Sequence, residues 1–198
     1  MSYLHNNYFI HIPKTGGNSI KNILKDNNYT IIGGHINIQT ILDTQNNILQ
    51  GFDNLDSYFF FAFVRNPYSR LVSTYKYFKS GRMKGPDGAY FLHNFPTFND
   101  FCYQYVLKTE DSLLIDHCKP QHFFITYKGN IRTNYIGKQE NMEQDMNYLK
   151  NRLNLNFTKI PKLNKSDKYN EWEKYYTVEL KELIYKKYQK DFQLFDYL

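Results

Sequence analysis

Apolar residues along this chain gather in short runs that stop at glycine-bearing or polar breaks, and most runs lead into a stretch with helical spacing. The pattern predicts a strand over 8–12 and a helix over 19–25, with Ile20, Ile23 and Leu24 on one face. After an Asp26-Asn27-Asn28 turn it predicts a short strand over 29–32 and a helix over 36–42, then a polar loop over 43–50. Residues 58–64 are continuously aromatic and apolar, as in a strand buried on both faces of a parallel sheet. That run ends at Arg65-Asn66-Pro67, and Leu71, Val72, Tyr75 and Phe78 then repeat at helical spacing over 68–78. Downstream the pattern predicts a glycine-rich loop over 81–94, a helix over 98–107, strands over 122–126 and 134–136, and a helix over 141–153 with Asn141 as N-cap. It closes with a basic loop over 157–167 and one long helix over 172–189. Strands alternating with helices predict a three-layer α/β fold, a central mainly parallel sheet flanked by helices. With no repeat or low-complexity linker, residues 1–198 read as one domain.

Composition adds a partner class. A formal charge of +6 favours anionic partners such as nucleotides and sulfated or phosphorylated molecules. The 19 tyrosines and 16 phenylalanines are unusually many, and a chain of this length can bury a substantial core. Cys102 and Cys118 lie in no metal-binding spacing and read as two free thiols. Residues 1–7 are polar, and the longest apolar run is too short to cross a bilayer, so the chain is expected to be soluble and cytoplasmic, with no membrane or nucleic-acid partner.

Two strand-to-helix junctions carry candidate chemistry. The first, Lys14-Thr15-Gly16-Gly17-Asn18-Ser19, follows the first strand. Its glycines allow close approach of the backbone to an anion, the first-turn N–H groups of the helix face that anion, and Lys14 adds a full charge. The lysine precedes the glycines, whereas the ordinary ATP or GTP loop has it after them. The second junction offers Arg65, Arg70 and, two helical turns on, Ser73. In a parallel sheet both junctions lie at carboxyl ends of strands, where ligands bind. Two anion sites suit a nucleotide with phosphates at both ends. Arg70 reads as structural or acceptor-facing more than as a nucleotide contact. His11 reads as a satisfied structural histidine, and Lys162, Lys165 and Ser166 as a basic loop that closes over a phosphate or is simply solvated.

The stretch from His11 to Ile20 resembles the 5′-phosphosulfate loop of sulfotransferases that use 3′-phosphoadenosine 5′-phosphosulfate (PAPS), in particular the carbohydrate branch that includes heparan sulfate 2-O-sulfotransferase. The stretch from Phe63 to Ser73 is similar to that family's 3′-phosphate motif. Residues 135–142, with Glu140 ahead of a helix, and 175–197, with terminal aromatics, also resemble family segments, and Gln121 fits the pattern.

The resemblance implies that backbone amides at Thr15, Gly16, Gly17 and Asn18, with the Thr15 and Ser19 side chains, hold the 5′-phosphosulfate. It gives Lys14 the charge on the departing bridging oxygen, and Arg65 and Ser73 the 3′-phosphate. His35, after Gly33-Gly34 and opening the next helix, takes the place of the base. Asn18 stands where the family often has threonine. The implied reaction moves a sulfuryl group to a hydroxyl, on a carbohydrate acceptor, and releases adenosine 3′,5′-bisphosphate (PAP). A sulfuryl group carries less charge than a phosphoryl group, so no metal is expected. The implied protein is a soluble microbial or viral member without the membrane anchor of Golgi relatives. An ATP-using P-loop kinase and a polyanion-binding module without turnover remain the alternatives. The oligomeric state has no signature in the sequence.

Overall fold

The structure is a computed structural model that describes residues 1–4, 6–48, 57–161 and 171–197. Two compact units divide the chain: Met1–Arg65 with Gln121–Lys165, and Asn66–Pro120 with Ser166–Leu198.

The first unit holds a five-stranded sheet. Its strands are β1 (Ser2–Leu4), β2 (Asn7–Ile10), β3 (Thr30–Ile31), β4 (Phe59–Val64) and β7 (Tyr135–Lys138), in the order β3-β1-β2-β4-β7. β2, β4 and β7 pair in parallel, and β1 is antiparallel to both of its neighbours, so the sheet is mixed but mainly parallel. A small hairpin of β5 (Thr126–Tyr127) and β6 (Asn130–Ile131) stands beside it. Helices α1 (Gly17–Asp26), α2 (Ile38–Ile48), α6 (His122–Ile125) and α7 (Met142–Arg152) flank the sheet. The α/β fold anticipated from the pattern is present.

Alternation along β2 and β4 divides the unit's apolar side chains between two faces. Phe9 and Phe61 are register partners with ring centroids 5.3 Å apart. With Phe63 they meet Ile20, Ile23 and Leu24 of α1 and Met146 and Leu149 of α7. Tyr8 and Phe60 pair at 5.2 Å on the other face. Asp145 of α7 ties down the end of β7, accepting from the Tyr135 hydroxyl at 2.9 Å and the Lys138 N–H at 2.6 Å.

The second unit is helical: α3 (Pro67–Lys79), α4 (Gly85–Asn94), α5 (Phe98–Phe101) continued by a π-turn over Cys102–Val106, α8 (Val178–Lys187) and α9 (Gln189–Leu194). Its core is aromatic, with Phe78 and Phe91 stacked at 4.2 Å and Phe101, Tyr188 and Phe192 buried nearby. Asn66 caps α3 by accepting from the N–H groups of Tyr68 and Ser69. Cys102 and Cys118 are free and buried, and burial pushes both thiols well up. Arg70 is buried and donates to the carbonyls of Lys119 at 2.8 Å and Asp116 at 3.3 Å, a structural role.

Several expected elements change. The polar start of the chain forms β1, whose Tyr3 stacks on Tyr8 of β2. α2 begins at Ile38 rather than 36 and runs to Ile48, through most of the expected 43–50 loop; residues 49 and 50 lie outside the described residues. The expected 81–94 loop contains α4, which starts with proline in its first turn and is held by buried Phe91. Of the expected strand over 122–126, His122–Ile125 form a turn of helix and only Thr126 belongs to a strand, β5. Asn141 stands at the N-cap of α7 without a side-chain capping bond. The expected long terminal helix is broken: a 3₁₀ turn over Glu173–Tyr175 precedes α8, which Thr177 caps at the Leu180 N–H. Lys162, Lys165 and Ser166 lie outside the described residues. Among the described residues no helix is long and apolar enough to cross a membrane.

Candidate active site

β2 ends at Ile10, and the chain turns through six residues before α1 begins at Gly17. Two of those residues have left-handed backbones, Lys14 at φ 68° and Gly16 at φ 84°. Such a turn gathers successive N–H groups into a concavity suited to an anion. Gly16 occupies the N-cap of α1, so no side chain caps the helix, and its first turn carries no acidic residue. The positive end of α1 is therefore available to an anion. Thr15 is buried and its hydroxyl donates to the Ile12 carbonyl at 3.0 Å, which closes the turn from inside. Lys14 and Ser19 are half-buried and Asn18 is exposed.

The cradle also depends on what lies beneath it. A Cβ on Gly16 would stand 2.7 Å from Cε of Met142, and one on Gly17 would fall 2.0 Å from Cδ2 and 2.2 Å from Nε2 of His11. The buried His11 ring stacks on Phe9 at 5.9 Å, so it is held from below while Gly17 rests on it. We expect G17A to lower stability by about 3 kcal/mol, roughly 6–12 °C in melting temperature for a chain of this size. A melting curve within about 2 °C of wild type would show that the ring yields freely.

His35 lies in the loop between β3 and α2, three residues before the helix rather than at its start. The ring is half-buried and approaches the His11 ring at 4.7 Å. Its Nδ1 is 3.2 Å from the His11 carbonyl oxygen. A carbonyl only accepts, so this nitrogen carries the proton, and in the neutral ring Nε2 is left with its lone pair. Arg65 follows the last residue of β4, with Nη1 3.4 Å from the Lys14 carbonyl. The structure thus brings His35 and Arg65 to the same loop as Lys14–Ser19. Ser73 is half-buried on α3, in the second unit.

Gln121, which the sequence offers only as fitting the family pattern, has a definite place. Gln121 is fully buried and exchanges two hydrogen bonds with the Arg65 backbone: Oε1 accepts from the N–H at 2.9 Å, and Nε2 donates to the carbonyl at 2.8 Å. His11 was likewise legible only as structural, and its position under Gly17 gives that role its content.

Among the described residues no three His, Cys, Asp or Glu side chains come together as a metal site. No curated protein and no solved structure matches the chain. A family model described as the sulfotransferase family matches residues 3–198. That span takes in the cradle, His35, Arg65, Ser73 and Gln121 along with nearly all of both units, and on it the chain belongs to the sulfotransferase family, an enzyme family that uses PAPS.

Proposed function

We propose that the protein transfers a sulfuryl group from PAPS to a hydroxyl of a carbohydrate, giving a sulfate ester and PAP, and that residues 1–198 serve as one sulfotransferase domain. The observation that carries this reading is the attachment of His35 and Arg65 to the cradle backbone, at the His11 and Lys14 carbonyls respectively. A base, a cation at the leaving oxygen and a further anion-binding arginine are then available around one loop.

In the proposed step the acceptor hydroxyl oxygen attacks sulfur in line and its proton passes to Nε2 of His35. The bond from sulfur to the bridging oxygen breaks, and its electron pair stays on the 5′-phosphate of PAP. N–H groups at Thr15, Gly16, Gly17 and Asn18 hold the 5′ end, with the Ser19 hydroxyl. The Thr15 proton is committed to Ile12, so its backbone N–H is the contact we assign. Lys14 stabilises the charge that grows on the departing oxygen. Arg65 takes the 3′-phosphate, and Ser73 joins that assignment on the likeness of its motif. Most of the rate enhancement would come from positioning and electrostatics. The step as written needs no metal.

The test is incubation with radiolabelled PAPS and a panel of glycans, phenols and tyrosine peptides. Label is expected in a glycan; label confined to phenols or peptides would overturn the carbohydrate assignment. Calorimetry addresses the nucleotide. PAP is expected to bind more tightly than adenosine 5′-monophosphate, and R65A is expected to weaken PAP by on the order of 10–100-fold, as befits a charge-assisted contact. A protein that binds ATP with Mg²⁺ and ignores PAP would instead be a nucleotide enzyme of the ordinary kind.

A further inference from the structure

We infer that Gln121 is the positioning residue that lets Arg65 select nucleotides with a 3′-phosphate; this rests on the reading of Arg65 given above. The parallel ladder between β4 and β7 ends with Val64 opposite Lys138. Arg65 is the next residue, at the point where a strand frays once pairing stops. The Gln121 side chain continues the pairing there. Its amide has the shape and polarity of a peptide group, and it meets both the N–H and the carbonyl of Arg65 from 56 residues away in sequence.

Two bonds from one planar amide do more than one would. They fix the rotation of the Arg65 backbone about the strand direction, and with it the direction in which the Arg65 side chain leaves the main chain. The guanidinium, reaching the Lys14 carbonyl from that fixed base, keeps its place at the cradle. The amide is fully buried, so solvent does not compete for these bonds. An arginine anchored this way is pre-organised for a second phosphate, and less of the binding energy goes into ordering it. Neither methionine nor glutamate can repeat the arrangement. Methionine has neither the donor nor the acceptor, and glutamate keeps the acceptor without an N–H for the carbonyl.

The experiment compares wild type, Q121M, Q121E and R65A in calorimetric titrations with PAP and with adenosine 5′-monophosphate, alongside PAPS kinetics and thermal melts. Q121M keeps the volume of the side chain. It is expected to weaken PAP on the order of tenfold while adenosine 5′-monophosphate changes by less than about twofold. The KM for PAPS should rise with kcat nearly unchanged, because the loss falls on binding shared by ground state and transition state. Q121E is expected to shift the PAP preference in the same direction. Full PAP preference in either folded variant overturns the inference. So does an equal loss for both nucleotides with a lowered melting temperature, which would make Gln121 a packing residue. If R65A itself retains the wild-type preference, the 3′-phosphate reading of Arg65 fails, and the role of Gln121 fails with it by a separate and recognisable route.

Discussion

Replacing Lys14 with alanine is expected to slow sulfuryl transfer by roughly 10²–10³-fold, the scale seen when one preorganised stabiliser of developing charge is removed. PAP binding should fall far less, because the backbone N–H groups of the cradle and Arg65 are untouched. The loss therefore belongs in kcat, at an interaction that strengthens as the bridging oxygen takes on charge. Lys14 permits a second reading of the same position. Its left-handed backbone, φ 68°, is unfavourable for any residue with a Cβ and neutral for glycine. K14A and K14G should be equally inactive, while K14G should be more stable than K14A by about 1 kcal/mol. Stability and activity would then oppose each other at one residue, as expected where strain is retained at a functional site. The proposed role fails if K14A turns over PAPS at close to the wild-type rate.

The second large effect is at His35. H35A is expected to lower transfer by about 10²–10⁴-fold, the range for loss of a positioned proton acceptor. The informative comparison is H35N. An asparagine amide can donate to the His11 carbonyl much as Nδ1 of the imidazole does, but it offers nothing in place of Nε2. A base predicts H35N to be as slow as H35A. A residue that only ties its loop to the turn after β2 predicts that H35N recovers most of the rate, and that result would remove His35 from the chemistry. PAP affinity should stay near the wild-type value in both variants, which separates a lost base from a collapsed cradle.

The cradle and Arg65 were legible because they sit where a strong local signal changes period, from a short apolar strand to helical spacing, across glycine or proline. The sheet and α3 followed from the same contrast. What the pattern missed was set by contacts distant in sequence. Three glycines between 81 and 94 read as loop, yet α4 forms because Phe91 stacks on Phe78. Phe123, Phe124 and Ile125 are an apolar run too short to separate strand from helix by periodicity, and the chain resolves it as a turn of helix. The terminal helix breaks at Tyr176, whose hydroxyl donates to the Tyr68 carbonyl at 3.0 Å. Gln121 gives no local signal of its work, since a lone polar residue after a proline does not reveal a partner 56 residues back. His35 was singled out because its Gly-Gly-His context resembles the family's place for a base, and its bond to the His11 carbonyl supplies a tautomer that no spacing encodes.

The nesting of the two units bears on how the protein is made. The first unit begins at Met1 but is interrupted after Arg65 and resumes at Gln121; the second begins at Asn66 and takes its closing helices from beyond Ser166. On the ribosome, β2 and β4 emerge early but wait for β7, and α3 waits for α8 and α9. Each unit's apolar face, Phe61 and Phe63 in one and Tyr68 and Phe98, which meet Phe192 and Tyr176, in the other, therefore stays without its full cover until the last third of the chain has left the exit tunnel. Domains ordinarily fold in order of synthesis. Here the two halves of the work finish almost together, and a nascent chain stalled near Pro120 would expose two unfinished cores at once to chaperones and proteases.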